Sequence, residues 1–264
     1  MTHGTDLGAS FVEYLRTVAP DALPRVTAEA VPAVHGTTIV AARYRDGVVM
    51  AGDRRATMGS AIAMRDIEKV FFADDQSIIG VAGTAGVAIE LVRLFQVELE
   101  HFEKVEGVSL SFDGNANRLG ALVRGNLSQA LQGLVVLPLF VGWDDAAGRG
   151  RIFTYDATGG RYEEQEFTSV GSGAAFARGA LKKLHDPDAD EHAAVAALLQ
   201  SLYDAADDDS ATSGLDLTRG IFPLVLRASA EGVARWSDEG TRQLAETIIR
   251  ARAGRPDGPR GSAL

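Results

Sequence analysis

The sequence predicts an α+β fold, with two antiparallel sheets packed face to face and helices on their outer faces. Three observations carry this. Short apolar, β-branched runs come in pairs joined by turn signals, as around Arg45-Asp46-Gly47. Longer stretches of helical spacing also come in pairs. The order is strands, two helices, strands, two helices, strands and a last helix. It shows no sustained βαβ alternation of the kind that builds a parallel sheet.

Taken in order, residues 1–36 carry little periodicity. Phe11, Val12, Tyr14 and Leu15 make at most one amphipathic turn, and Pro20, Pro24 and Pro32 interrupt the rest. This stretch reads either as a disordered tail or as a removable propeptide. The pattern changes at Thr38. Residues 38–44 read as a strand and 48–53 as its return. Residues 69–72 and 77–82 form a second hairpin around Asp74-Asp75. A helix follows from about Thr84, with Val87, Leu91, Leu94, Phe95 and Phe102 near one face and Gly107 as its stop. A second helix is expected over about 115–132. Strands resume at 138–143, 151–155 and 166–170. Gly171-Ser172-Gly173 leads into a helix ending near Leu184, and Asp186-Pro187-Asp188 separates it from another over 191–206. An acidic run, Asp207-Asp208-Asp209, reads as a solvated loop or a cation site. Strands at 221–227 and 233–236 and a helix over 238–253 complete the domain. The Gly-, Pro- and Arg-rich residues 254–264 read as a disordered tail.

Composition narrows the function. Of 264 residues, 46% are hydrophobic, enough for one large core, and the formal net charge is -10. Nucleic acid and anionic membranes both ask for a positive face, so neither is expected as a partner. No apolar run approaches the roughly 18–20 residues of a membrane span. There is no cysteine, which excludes disulfides, thiolate catalysis and Cys-ligated zinc. A cytoplasmic location fits this, and the N-terminus lacks the basic-then-apolar pattern of a secretion signal. The five histidines show no ligand spacing.

The stretch with the most chemical content is His35-Gly36-Thr37-Thr38-Ile39-Val40. In one reading the threonines merely favour extended backbone. In the other the Gly36–Thr37 bond is cut and Thr37 gains a free amine beside its hydroxyl, a pairing that activates a weak alcohol. Such a threonine needs charged support and an oxyanion site. Asp53 ends an apolar run and Lys69 precedes another, so both could reach it, or both could be surface groups. Ala82-Gly83-Thr84 and Gly171-Ser172-Gly173 each join a strand to a helix. In that setting backbone N–H groups can meet an anion, or the residues can simply form capped turns. No phosphate-loop or dinucleotide fingerprint is present.

Together these stretches resemble proteasome β subunits, most closely the actinobacterial type. The match runs from Gly36 to about Arg250. It is carried by Gly36-Thr37-Thr38-Ile39-Val40, Gly52-Asp53-Arg54-Arg55-Ala56-Thr57, Lys69, Ala82-Gly83-Thr84, Val170-Gly171-Ser172-Gly173 and residues 203–212. The resemblance implies the N-terminal nucleophile hydrolase fold, a four-layer αββα sandwich. It implies a propeptide over 1–36 removed by self-cleavage between Gly36 and Thr37, and a catalytic domain over 37–253. Thr37 is then the nucleophile of a threonine endopeptidase. Asp53 and Lys69 are its charged partners, Ser172 and Asp209 hold its amine, and Gly83 gives the oxyanion-hole N–H. Thr57 pairs with the substrate backbone, and Ala56, Ile67, Phe71, Val81 and Ala85 line an apolar specificity pocket. Many relatives place a serine, then a glycine, after the aspartate. Here Thr212 holds the serine's place, with Ser213 and Gly214 after it, so Thr212 or Ser213 supports the nucleophile. No metal or organic cofactor is implied. The implied partners are proteasome α subunits and other β subunits in stacked heptameric rings, a regulatory ATPase ring, and protein substrates carrying a ubiquitin-like tag.

Overall fold

A computed structural model describes residues 36–258. The proposed propeptide therefore lies outside the described residues except for Gly36, and so do the last residues of the tail.

The chain begins with β1 (Thr38–Tyr44) and β2 (Gly47–Gly52), then a small hairpin of β3 (Ala56–Met58) and β4 (Ala61–Met64). Next come β5 (Val70–Phe72), β6 (Ser77–Gly83) and the helices α1 (Ala85–Glu106), α2 (Phe112–Gly125) and α3 (Leu127–Ala130). The strands β7 (Val136–Asp144), β8 (Arg149–Tyr155), β9 (Arg161–Glu164) and β10 (Phe167–Gly171) follow. Helices α4 (Ala174–Leu184) and α5 (Glu191–Asp208), strands β11 (Leu224–Ser229) and β12 (Gly232–Arg235), and helix α6 (Asp238–Ala253) close the fold. One sheet has the order β10-β1-β2-β11-β12 and the other β5-β6-β7-β8-β9, and every pairing is antiparallel.

The alternation of side chains along each strand fixes the layers. In β1, Ile39 and Ala41 face the second sheet, while Val40, Ala42 and Tyr44 face helices. In β7, Leu139 and Val141 join the inter-sheet core, and Phe140 turns outward to Phe95 and Phe112. Both faces of the central strands are thus covered. This explains why they read as continuous apolar runs rather than alternating ones. Leu181, Leu198 and Leu202 of α4 and α5 cover one sheet; Leu91, Phe95 and Leu119 of α1 and α2 cover the other. The result is the expected αββα sandwich.

Several boundaries differ from the sequence reading. The second helix begins at Phe112 rather than near Asn115, because the Ser111 hydroxyl accepts from Gly114 N at 3.1 Å and caps it there. It ends at Gly125, and only the short α3 continues toward residue 132. Asp207 and Asp208 are not a loop but the last turn of α5, and Asp209 is its C-cap. Strands β3, β4 and β9 were not expected. The first two are short, each with a single β-branched residue, Thr57 or Ile62, among Ala and Met, and β4 is wholly exposed. The sequence of β9, Arg-Tyr-Glu-Glu, is that of a charged edge strand. Cross-strand ion pairs from Arg149 and Arg151 to Glu163 hold it in place.

Truncating Phe140 should expose how much the outer core contributes. Phe140→Ala removes a fully buried ring stacked 5.0 Å from Phe112. It should cost about 3–5 kcal/mol, read as a lowered denaturation midpoint. A change under about 1 kcal/mol would show that this site collapses without loss.

Candidate active site

The pairing register brings the ends of both sheets to one place. Thr38 pairs with Gly171 and Ile39 with Gly52, so Thr37, Asp53 and Ser172 meet at the same edge of the first sheet. The second sheet adds Lys69, directly before β5, and Gly83, at the end of β6.

Asp53 is fully buried and its carboxylate is saturated. Oδ1 accepts from Thr38 N at 2.7 Å and from Lys69 Nζ at 2.6 Å. Oδ2 accepts from Arg55 N and Ser213 N, each at 2.9 Å, and from Ser213 Oγ at 3.3 Å. The surface-group reading of Asp53 and Lys69 therefore fails. Lys69 is 4% exposed and donates to three acceptors: Asp53 Oδ1, the Gly36 carbonyl at 3.1 Å and the Arg55 carbonyl at 2.5 Å. Three acceptors match the three N–H bonds of an ammonium group. Burial pulls the Lys69 pKa below the ordinary lysine value, and Asp53 offsets part of that pull.

Thr37 is buried, and its hydroxyl donates to the Gly36 carbonyl at 2.6 Å. The same carbonyl oxygen accepts from Lys69, so the Thr37 hydroxyl and the Lys69 ammonium converge on the bond expected to break. Gly36 has a φ of 99°, and a β-carbon there would lie 2.7 Å from Thr57 Oγ1 and 3.0 Å from Ala211 Cβ. Only glycine fits that turn.

On the other side, Ser172 N donates to the Thr37 carbonyl at 2.9 Å. Ser172 Oγ and Thr212 Oγ1 each donate to Asp209 Oδ2 at 2.6 Å. Burial alone would raise the Asp209 carboxyl, but these hydroxyls and the Ala211 N–H outweigh it, and the net shift is downward. Thr212 and Ser213 face different partners: Thr212 engages Asp209, and Ser213 engages Asp53. Ser213 Oγ also accepts from Arg54 N at 2.9 Å.

A cavity beside Thr37 is lined by Ala56, Ile67, Val81, Gly83 and Ala85. Phe71 does not line it. It packs instead against the core beneath α1, and it borders a separate groove with Val70, Phe72 and Leu226. Its place is taken by Ala88 and Ile89. Those two were legible in hindsight: they lie three and four residues after Ala85, on the same face of α1. Thr57 sits on β3 with its hydroxyl against Gly36. Thr38 was also missed. It was read as a strand residue, yet its fully buried hydroxyl reaches Thr212 Oγ1 at 2.6 Å.

Lys69 carries a pH dependence whose sign is fixed. Its folded-state pKa is lowered, so on raising the pH the folded protein loses this proton before the unfolded chain does. Rising pH through that window favours folding but removes the charge at the Gly36 carbonyl. The rate of the cleavage expected between Gly36 and Thr37, followed by mass spectrometry, should therefore fall on an alkaline limb beneath about 10.4, the ordinary lysine value. A rate still flat past that value would show that the lysine charge does not support the step.

The model of the family described as proteasome subunit matches residues 33–217. A proteasome subunit beta of Acidothermus cellulolyticus is 57% identical over 95% of this chain and 89% of its own length. Those of Streptomyces griseus and Rhodococcus jostii are 52% and 53% identical over 97% and 96% of this chain, and 93% and 92% of their own. The two-sheet sandwich, the site gathered at its edge and a match of this extent lead to one conclusion: the chain belongs to the proteasome subunit family, as a β-type subunit.

Proposed function

We propose that this β-type subunit, a peptidase that assembles with other proteasome subunits, is a threonine-type endopeptidase with Thr37 as its nucleophile. The observation that carries the reading is the convergence on Gly36 O of the Thr37 hydroxyl and the Lys69 ammonium. In the precursor, Thr37 Oγ attacks the Gly36 carbonyl carbon and displaces its own amide nitrogen. That displacement leaves Thr37 with a free amine, which keeps the proton given up by the hydroxyl, and with its oxygen esterified to Gly36; hydrolysis of this ester by water restores the Thr37 hydroxyl and releases residues 1–36 as a free acid. In the mature subunit, Thr37 Oγ attacks a substrate carbonyl and the Thr37 amine takes its proton, directly or through one water. Gly83 N–H stabilises the oxyanion. The leaving amine departs with a proton, and water cleaves the acyl-enzyme. Asp53 fixes Lys69, and the positive charge of Lys69 keeps the pKa of the neighbouring amine low enough for it to act as a base. Ser172, Asp209 and Thr212 hold the amine side of Thr37, and Thr57 offers its backbone to the substrate strand. The partners follow from the same reading: stacked heptameric rings with α subunits, an ATPase ring that unfolds substrates, and a ubiquitin-like tag that marks them. An unselective peptide cutter in a cytoplasm needs such sequestration. Among the described residues no helix is long and apolar enough to cross a membrane.

Three measurements test this. The intact mass of the β subunit in the active particle should correspond to a chain beginning at Thr37; an active particle that keeps residues 1–36 would sink the mechanism. Lys69→Ala should abolish both self-cleavage and peptide hydrolysis while rings still assemble, and Lys69→Arg should fail to restore them because the planar fork cannot reproduce three convergent donors. Near-normal hydrolysis by an assembled Lys69→Ala particle would remove Lys69 from the chemistry. Profiling with a peptide library should show cleavage after apolar residues, since Ala56, Ile67, Val81, Ala85, Ala88 and Ile89 line the pocket, beside Glu68 and a Lys69 whose charge is already taken up by Asp53. A strong preference for Asp before the cut would contradict the pocket assignment.

A further inference from the structure

Thr38 follows the nucleophile, and its side chain is fully buried without being part of the apolar core. Its Oγ1 accepts from Gly173 N at 3.0 Å and lies 2.6 Å from Thr212 Oγ1. Thr212 has a single hydroxyl proton, and that proton goes to Asp209 Oδ2 at 2.6 Å. The bond between the two threonines is therefore donated by Thr38. The direction of the whole chain follows: Gly173 N–H to Thr38, Thr38 O–H to Thr212, Thr212 O–H to Asp209. Gly173 is built for this approach, because a β-carbon there would lie 2.7 Å from both threonine hydroxyl oxygens and 3.1 Å from Asp209 Oδ2.

We infer that Thr38 is a positioning residue for the peptidase reaction, acting through Thr212, Asp209 and Ser172 to hold Thr37 in a single hydrogen-bonded arrangement. The inference rests on the reading of Thr37 as nucleophile. Its physical basis is the direction of donation. A hydroxyl that receives a proton from one side donates more strongly on the other. With Thr38 donating, Thr212 has no alternative rotor state. It serves Asp209 as a donor. Without the Thr38 hydroxyl, Thr212 loses the donor that polarises its bond to Asp209, and Gly173 N–H loses its acceptor. The backbone bonds of Thr38, to Asp53 Oδ1 and from Asp53 N, do not depend on the side chain. The charged pair therefore stays assembled in the variant.

Thr38→Val keeps the shape and the strand preference but removes the hydroxyl. In α-containing particles it should lower kcat for a short apolar peptide about tenfold, the rate equivalent of about 1.4 kcal/mol, with KM unchanged. Thr38→Ser should restore kcat. Thr212→Val and the double variant complete a cycle in which the two losses should not multiply, because both break one chain. Wild-type kcat in an assembled, processed Thr38→Val particle overturns the inference, as do losses that multiply fully. If Thr38→Val fails to assemble, Thr38→Ala is read by the same criteria, and a Thr38→Ser particle with kcat as low as a hydroxyl-free variant also overturns it. Thr37→Ala separates the two levels. Hydrolysis that survives in Thr37→Ala removes the nucleophile assignment itself. A dead Thr37→Ala beside a normal Thr38→Val removes only the role of Thr38.

Discussion

Lys69 carries a charge that is almost completely withdrawn from water, and the site is arranged around satisfying it. An ammonium in an apolar interior is costly unless it is paired and every N–H finds an acceptor. Asp53 supplies the counter-charge, and the Gly36 and Arg55 carbonyls take the remaining donors. Asp53 is buried in turn and draws on Thr38, Arg55 and Ser213 for its own donors. Satisfying one charge thus pins the segment before β1, the end of β2, the start of β5 and the loop after α5. The pair is weak evidence for stability taken alone. Its value lies in the geometry it imposes on chain segments far apart in sequence.

The sandwich makes this possible by putting three strand ends from the first sheet and two from the second at one edge. In the first sheet, β1 begins where β2 and β10 end; in the second, β5 begins where β6 ends. Antiparallel pairing produces that coincidence without long connections, since each hairpin returns the chain to its starting edge. The helices seal the outer faces, so the polar groups at the edge sit over three dry layers and act in a low dielectric.

Two hydrogen-bonded clusters meet at Thr37, and they differ in kind. The Lys69–Asp53 cluster is a charge pair closed by backbone groups. The Thr38–Thr212–Asp209–Ser172 cluster is a series of hydroxyls ending on one carboxylate, whose pKa those donors hold down against its burial. Thr38 touches both, by its backbone N–H to Asp53 and by its side chain to Thr212.

Sequence by itself determined the fold class and most of its elements. Continuous β-branched runs can be stable only when both faces are buried, and Asp-Gly and Gly stop signals act locally. It also determined the candidate residues Thr37, Asp53 and Lys69, through their places at strand boundaries and their resemblance to a known family. Tertiary structure decided what local pattern does not encode. Whether Lys69 was an exposed strand-flanking lysine or a buried ammonium depended on pairing between strands that are distant in the chain. The separate duties of Thr212 and Ser213 depended on which neighbour each one faces after α5. Phe71 left the pocket, and Ala88 and Ile89 entered it, because the strand and helix directions around Thr37 set which side chains point inward. The hydroxyl of Thr38 looked like a mere strand preference. Only the approach of Gly173 and Thr212 across the sheet edge turns it into a directed hydrogen bond, and that approach is a property of packing.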